Sequence, residues 1–262
     1  MRPSRKIDLD IQAAYEEGSL EKYITALRAR FKTSPFDLYR LRLMRRIFGN
    51  EPKGSVLEIG CNAGIMAQAY ERAASKIILS DYELFFVKGA AVINKRFSNK
   101  IVFSVNDAKR LPFKDKTFDT ISALELIEHV PLEAHAAVLE EIRRVSKNNA
   151  AIYLSTPNAR SIPGFEGRIL EAFVRGYKWN AWNDAHKYIY TAKLFKDFLN
   201  DRGFVIKRIY GYYFLPGSLM VRLPAKLQLF AGYISYLFSR YLGRFEPFRS
   251  TGFTTIVHAE KQ

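Results

Sequence analysis

Apolar and polar positions along the chain change their rhythm near residue 50 and again after Pro157, and those changes predict the elements. Residues 11–31 read as one helix, broken near Lys32 to Ser34. A second helix follows. Ser34 suits an N-cap, Pro35 suits the first helical position, and Gly49-Asn50 suits the end. From residue 54 onward, short apolar runs alternate with helical stretches. The predicted strands are 55–59, 76–79 (running on to Asp81), 101–105, 118–123 and 150–155. Helices are predicted from about 65, over 83–97 and over 131–145. Strands that alternate with helices of this length imply parallel βαβ units. The strands are apolar on both faces, as a sheet covered by helices on both sides requires. The fold class expected is therefore α/β, with a doubly wound sheet.

Beyond Pro157 the order loosens. Residues 157–190 predict a long loop with one short helix near 168–175. A helix over 191–201 with Gly203 just past its end, a strand over 204–210, a helical stretch over 218–242 and a final strand over 251–259 complete the chain. The expected organisation is a helical N-terminal cap over 1–50 and one domain over 51–262, carrying a helical insertion at about 212–248.

Composition and charge narrow the classes. The 20 Phe and 15 Tyr argue for a packed globule, despite a net charge of +15. One Cys excludes a disulfide scaffold and a Cys-based zinc site. Met1 to Asp10 mixes Arg, Asp and Lys without an apolar stretch, so it is not read as a secretory signal, and no apolar run reaches the roughly 20 residues of a bilayer span. A cytoplasmic location follows as the expectation. The surplus charge is uneven: net +5 over 1–50, +1 over 51–156 and +9 over 157–262. The flanks are where an anionic partner would be met.

The chemistry begins at Val56-Leu57-Glu58-Ile59-Gly60-Cys61-Asn62-Ala63-Gly64, a strand running into a glycine-rich turn. Glycines there permit a sharp turn and close approach of a ligand to the backbone. The Gly-x-x-x-Gly spacing lacks the third glycine of dinucleotide binders. Asp81, with Tyr82 beside it, ends the second strand, where an acid can accept both hydroxyls of a ribose. Asn106-Asp107-Ala108 follows the third strand, and Ala123-Leu124-Glu125 ends the fourth. Open α/β sheets bind ligands at these carboxyl ends.

Over about residues 54–210, this combination resembles class I S-adenosylmethionine-dependent methyltransferases. The motifs that carry the likeness are LEIGCNAG, the strand-end Asp81, NDAKRLPFKDKTFDTISALELIEHV and AIYLSTPN. The resemblance implies a Rossmann-like, seven-stranded, mostly parallel sheet and S-adenosylmethionine as cofactor. It implies that Gly60 to Gly64, with Cys61 and Asn62, hold the methionine part. Asp81 would hold the ribose, Asp107 and Ala108 the adenine, and Leu124 or Glu125 would lie near the sulfonium. Glu58 matches the family's acidic residue in the first strand. Cys61 is read as filler rather than nucleophile.

Glu125-Leu126-Ile127-Glu128-His129 is similar to a motif in ubiquinone-pathway O-methyltransferases and small-RNA 2′-O-methyltransferases, where Glu-x-x-Glu-His binds a divalent metal. If the stretch turns helically, residues 125, 128 and 129 share a face. A Mg or Zn ion on Glu125, Glu128 and His129 is one expectation; in the RNA enzymes a later His completes the site, and His186 falls in a similar context here. A metal-free site is the other. His129 and His186 are the catalytic candidates in both. His135 and His258 are expected on a helix surface and in a strand.

No acidic residue occurs from Arg202 to Phe245, against seven Lys and Arg. Wound as a helix, Arg222, Lys226, Arg240 and Arg244 share an arc beside Tyr233. Leu219, Leu223, Leu227, Phe230, Ile234, Leu237 and Phe238 form a broad apolar arc, and Gln228, Gly232, Ser235 and Ser239 a narrow third one. An interfacial helix on an anionic membrane, a lid over the acceptor, and packing on the core or on a second copy in a homodimer are the readings open. The function expected is methyl transfer to oxygen on an apolar, lipid-like or quinone-like small molecule. An RNA 2′-O-methyltransferase and a non-catalytic, membrane-associated cofactor-binding protein are the alternatives, nucleic acid being disfavoured by the absence of a recognisable RNA-binding module.

Overall fold

The computed structural model describes residues 3–49, 54–97, 99–175, 186–215, 220 and 223–261. Three helices open the chain: α1 (Pro3–Glu16), α2 (Leu20–Thr33) and α3 (Pro35–Phe48). The single helix expected over 11–31 is thus two. Gly18 adopts a left-handed φ of 68°, which ends α1 and turns the chain back. α3 is capped as its sequence predicts: Asp37 N–H donates to the Ser34 hydroxyl, Pro35 fills the first turn, and Gly49 closes the helix.

Seven strands follow: β1 (Gly54–Ile59), β2 (Ala74–Asp81), β3 (Ile101–Val105), β4 (Phe118–Leu124), β5 (Ser146–Pro157), β6 (Phe204–Tyr212) and β7 (Thr254–Lys261). They form one sheet in the order β3-β2-β1-β4-β5-β7-β6. Neighbours are parallel except for β7, which runs antiparallel between β5 and β6. Alternation along the strands feeds two cores. Leu57, Ile59, Ile121, Ile152 and Leu154 pack on one side under α5 (His135–Val145) and α7 (Ala192–Asn200). Val56, Ile77, Leu79, Tyr153 and Ile256 pack on the other against Leu43, Met44 and Phe48 of α3. The third N-terminal helix therefore shares the core of the sheet.

Several elements differ from expectation for local reasons. Ile65–Ala69 is only a 3-10 turn, because the chain must already enter β2 at Ala74. The helix over 83–97 is α4 (Leu84–Ile93), followed by the separate 3-10 turn Lys95–Phe97. The short helix expected near 168–175 is α6 (Ile162–Phe173), which begins earlier because Ser161 caps it and Pro163 fits its first turn. The helical stretch expected over 218–242 is α8 (Ala225–Tyr241), which starts after Pro224. A one-turn helix, α9 (Phe248–Thr251), precedes β7, so the last strand starts at Thr254 rather than 251. Leu219 and Arg222 lie outside the described residues. Among those described, no helix is long and apolar enough to cross a membrane.

Of the readings open for this stretch, packing on the core holds for α8 chiefly through its narrow arc of small residues rather than through its apolar arc. The buried residues are Gly232, Ser235, Tyr236 and Ser239. A Cβ on Gly232 would come within 2.3 Å of the Pro35 Cβ and 3.2 Å of the Tyr39 ring. The small-residue arc is what lets α8 approach α3, and Leu227, Phe230, Phe238 and Tyr241 remain exposed.

Candidate active site

The carboxyl ends of β1 to β4 open into a cleft of about 980 Å³. Glu58, Gly60, Cys61, Asn62, Asp81, Tyr82, Asp107, Ala108, Leu124, Glu125 and His129 all line it. Gly64 stands just behind the wall. It holds a left-handed φ of 66°, and a Cβ there would meet the Asn94 amide at 2.7 Å and Leu79 at 2.8 Å. Gly60 is left-handed as well, and its added Cβ would strike Leu126 at 2.8 Å. Both glycines are thus required by backbone shape and by close packing of the loop on the sheet.

Asp81 is buried at the end of β2 and accepts from the backbone N–H of Asn62 (2.8 Å) and of Glu83 (3.1 Å). Burial raises its pKa, against those backbone donors. Tyr82 next to it is 70% exposed on the rim. Asp107 is more open, paired with Lys109 at 3.3 Å. Glu58 is buried with the Tyr70 hydroxyl donating to it, and burial pushes its pKa up to about 8. Cys61 is buried and its thiol is raised well above the usual range, first by burial and then by Glu58. It stays a thiol, in keeping with a filler role.

The Glu125–His129 segment departs from a continuous helix. Glu125 takes a left-handed φ of 54°, and only Ile127–His129 makes a 3-10 turn. Glu125 is consequently tied to Ser155, whose hydroxyl donates to it at 2.8 Å. It stands apart from the group of ligand-type atoms that lie within 4.8 Å of one another, which is Glu128, His129 and His186. The His129 and His186 rings are 4.9 Å apart. Lys187 N–H donates to the Glu128 carbonyl at 2.6 Å, so the chain at 186–188 is stitched to this turn. Neither Glu128 carboxylate oxygen has a hydrogen-bond partner among the described residues, Thr156 lying beside it but outside bonding geometry. Burial, and then Glu125, raise the Glu128 pKa well above the carboxylate range. Burial, and then His129, lower that of His186 to about 4.

His135, expected on a helix surface, is buried. Its Nε2 lies 2.8 Å from the Val130 carbonyl and its Nδ1 2.9 Å from the Tyr190 hydroxyl. A carbonyl only accepts, so Nε2 carries the proton and Nδ1 accepts from Tyr190. His135 anchors the backbone directly after His129. His258 is a β7 residue, as expected, with its ring stacked on Tyr153.

The N-terminal helices supply cleft residues that the sequence reading did not assign. Arg30, Asp37 and Arg40 line it, together with Ile11, Tyr15 and Tyr23. Arg30 donates to Asp37 at 2.7 Å, and Arg40 approaches the other carboxylate oxygen at 3.8 Å. Burial pushes the Asp37 carboxyl up, yet Arg30 and Arg40 together hold it below its ordinary value. The Arg40 Nε is buried without a hydrogen-bond partner among the described residues. A signal existed in the sequence: Asp37 and Arg40 are three apart on the well-capped α3. What it lacked was the direction that face takes. Tyr23 donates to the Asn62 side chain at 2.6 Å, which joins the cap to the glycine loop.

A doubly wound sheet with a glycine loop after its first strand, a buried acid ending its second and further polar residues after its third and fourth defines a nucleoside-binding enzyme of the class I methyltransferase type. A family model described as a methyltransferase domain matches residues 30–208, and the chain belongs to that family of S-adenosylmethionine-dependent methyltransferases. It is 32% identical to norajmaline N-methyltransferase of Rauvolfia serpentina, over 46% of this chain and 44% of the relative. It is 26% identical to a ubiquinone biosynthesis O-methyltransferase of Xanthomonas campestris, over 41% of this chain and 44% of the relative. The chain thus spans under half the length of either. A solved S-adenosylmethionine-dependent methyltransferase from Thermotoga maritima shares the fold, with a TM-score of 0.59 at 18% identity, covering 92% of this chain and 98% of that one.

Proposed function

We propose that this methyltransferase acts on the oxygen of an apolar, lipid-like or quinone-like small molecule. The observation that carries the reading is the composition of the cleft wall. Beside the strand-end polar residues stand Ile11, Tyr15, Leu27, Phe31 and Phe86, contributed by the cap and α4. S-adenosylmethionine, when bound, supplies an electrophilic methyl group on a sulfonium sulfur. Asp81, already aimed into the cleft, accepts from the ribose hydroxyls. Gly60 to Gly64, with Cys61 and Asn62, flank the methionine part, Asp107 and Ala108 the adenine, and Leu124 and Glu125 the sulfonium side. The Arg40 guanidinium, paired with Asp37 on one side but with its buried Nε lacking a hydrogen-bond partner among the described residues, fits the α-carboxylate. Tyr82 closes the rim.

His129 at the cleft wall is the group to take a proton from an acceptor hydroxyl. A charged imidazole beside it would oppose that step. His186, with its pKa held near 4 by burial, is neutral at neutral pH and does not. The test is transfer of labelled methyl groups to long-chain phenols and quinols, with RNA in parallel. Label is expected in the apolar acceptors. Label in RNA alone would move the assignment to 2′-O methylation. His129→Gln should lower kcat by ~100-fold or more, the scale of general-base catalysis, with cofactor affinity unchanged.

One observation favours a second feature, a divalent ion. A buried carboxylate with both oxygens unpartnered, beside two imidazoles, is a donor set suited to Zn or another divalent metal. Glu128, His129 and His186 would hold it in place of the proton-accepting role of His129, and it would supply charge to stabilise a developing oxyanion. Calorimetric titration with Zn and Mg checks this. Heat that disappears in Glu128→Gln supports the site, and no heat from either ion in the parent protein removes it.

A further inference from the structure

Two helices outside the cleft are built alike, and unlike ordinary amphipathic helices. α8 buries Gly232, Ser235, Tyr236 and Ser239 and turns Leu227, Phe230, Tyr233, Phe238 and Tyr241 to solvent, with Phe230 62% exposed. At 100° per residue, Phe230 and Tyr241 point directly away from Gly232 and Ser239. α6 buries Pro163, Gly164 and Gly167 and exposes Ile162, Phe165, Ile169 and Phe173 as one stripe, with Phe173 85% exposed. A surface helix normally places its large apolar residues inward. Here small residues make most of the close packing, joined on α8 by Tyr236 against Tyr39, while most of the large apolar side chains stay exposed to solvent.

Both helices follow parallel strands at the same edge of the sheet. α6 follows the carboxyl end of β5. α8 follows that of β6, which runs parallel to β5 across the intervening antiparallel β7. The two ends are tied together. Asn158, just before α6, donates to the Ser250 and Gly252 carbonyls (2.8 and 3.0 Å). The Phe248 ring meets Phe238 of α8 at 6.1 Å. This edge is also the one where the cleft opens.

Charge selects among partners for this surface. α8 has no acidic residue, and Lys226 and Arg244 flank its exposed apolar face, with Arg240 beside Tyr241. α6 is mixed, with Glu166 and Glu171 alongside Arg168. Nucleic acid would meet the cations and leave the Phe and Leu side chains in water. A second copy packed by two-fold symmetry through α8 would bring like charges together. An anionic bilayer satisfies both: its phosphates meet the cations and its acyl boundary takes the aromatic and aliphatic side chains.

We propose that the exposed apolar faces of α8 and α6 form a docking surface for an anionic membrane, which sets the mouth of the cleft at the lipid boundary. The apolar acceptor class argued above makes such docking useful, but the surface stands on its own observations. The test is co-sedimentation of the full chain, without cofactor, with vesicles of phosphatidylglycerol and phosphatidylcholine or of phosphatidylcholine alone. Binding is expected to be at least ~10-fold stronger to the anionic vesicles and to weaken with salt. Phe230→Ser with Tyr241→Ser, and separately Lys226→Glu with Arg244→Glu, should each lower it by ~10-fold or more. Binding of S-adenosylhomocysteine, measured on every variant, should be unchanged, since none of these residues lines the cleft. That readout reports folding and cofactor capacity, so loss of docking and loss of the methyltransferase reading are separable. Failure to bind either vesicle, equal binding to both, or a dimer that dissociates in Phe230→Ser with Tyr241→Ser would overturn the proposal.

Discussion

Asp81 and Arg40 illustrate how much a single residue's surroundings add to its type. Hydrogen bonds to a charged group are worth about 1.5–3 kcal/mol each. Asp81→Ala should therefore weaken S-adenosylmethionine binding by at least ~10-fold. Arg40→Met offers a sharper separation, because methylthioadenosine lacks the α-carboxylate. The variant should weaken S-adenosylhomocysteine at least ~10-fold, the worth of one charge-assisted bond, and leave methylthioadenosine unchanged. Equal losses for both ligands would make Arg40 structural. Glu58 gives a pH dependence. Its folded pKa of about 8 lies above its ordinary 4.5, so the folded state holds a proton that the unfolded state has lost. Its contribution to stability is complete below about pH 4.5 and is lost as pH rises toward 8. A tenfold change in proton affinity is about 1.4 kcal/mol, so the loss is on the order of a few kcal/mol. Glu58→Gln should flatten the melting temperature across that window, and a slope equal to the parent's would contradict the assignment.

At the scale of elements, α8 shows that which face of a helix packs is not set by which face is apolar. Its fit to α3 depends on the missing side chain at Gly232, with Pro35 at 2.3 Å from the built Cβ. Gly→Ala in a helix interior gains about 1 kcal/mol from propensity. Overpacking against rigid neighbours costs about 1–3 kcal/mol. Pro35 and the Tyr39 ring have little freedom to yield, so the clash should win. Gly232→Ala is expected to lower stability in urea unfolding by about 1 kcal/mol or more, whereas Phe230→Ser, on the opposite face, should stay within about 0.5 kcal/mol. The reverse order would mean that α8 packs through its apolar arc after all.

The whole molecule couples its cap to its ligand loop. Tyr23 bonds Asn62, and Ala63 of that loop packs in one cluster with Ala14, Ile24 and Leu27 of the first two helices. A ligand held by the loop should therefore steady helices that lie far from it in sequence. With S-adenosylhomocysteine at about 100 times its Kd, the folded state gains about 2.7 kcal/mol. Hydrogen exchange of α2 amides should slow along with those of β1 and β2. If protection rose in the strands alone, the cap would be energetically separate from the site.

The alternation of strands and helices, the cap at Ser34 and the strand-end positions of Gly60, Asp81 and Asp107 were all legible along the chain, because local periodicity and turn chemistry determine them. So was the family, through the LEIGCNAG loop and the segments that follow it. Long-range packing decided the rest. The break at Gly18 needed the cap to fold back on α4. The left-handed Glu125 swung that carboxylate to Ser155 and left Glu128 with His129 and His186, a pairing that depends on a chain segment some 57 residues away. His135 went inward because Val130 and Tyr190 receive its two nitrogens. Arg40 and the outward face of α8 depended on where α3 lies against the sheet. Spacing along a chain places residues on a face of an element; only contact with its neighbours determines where that face points.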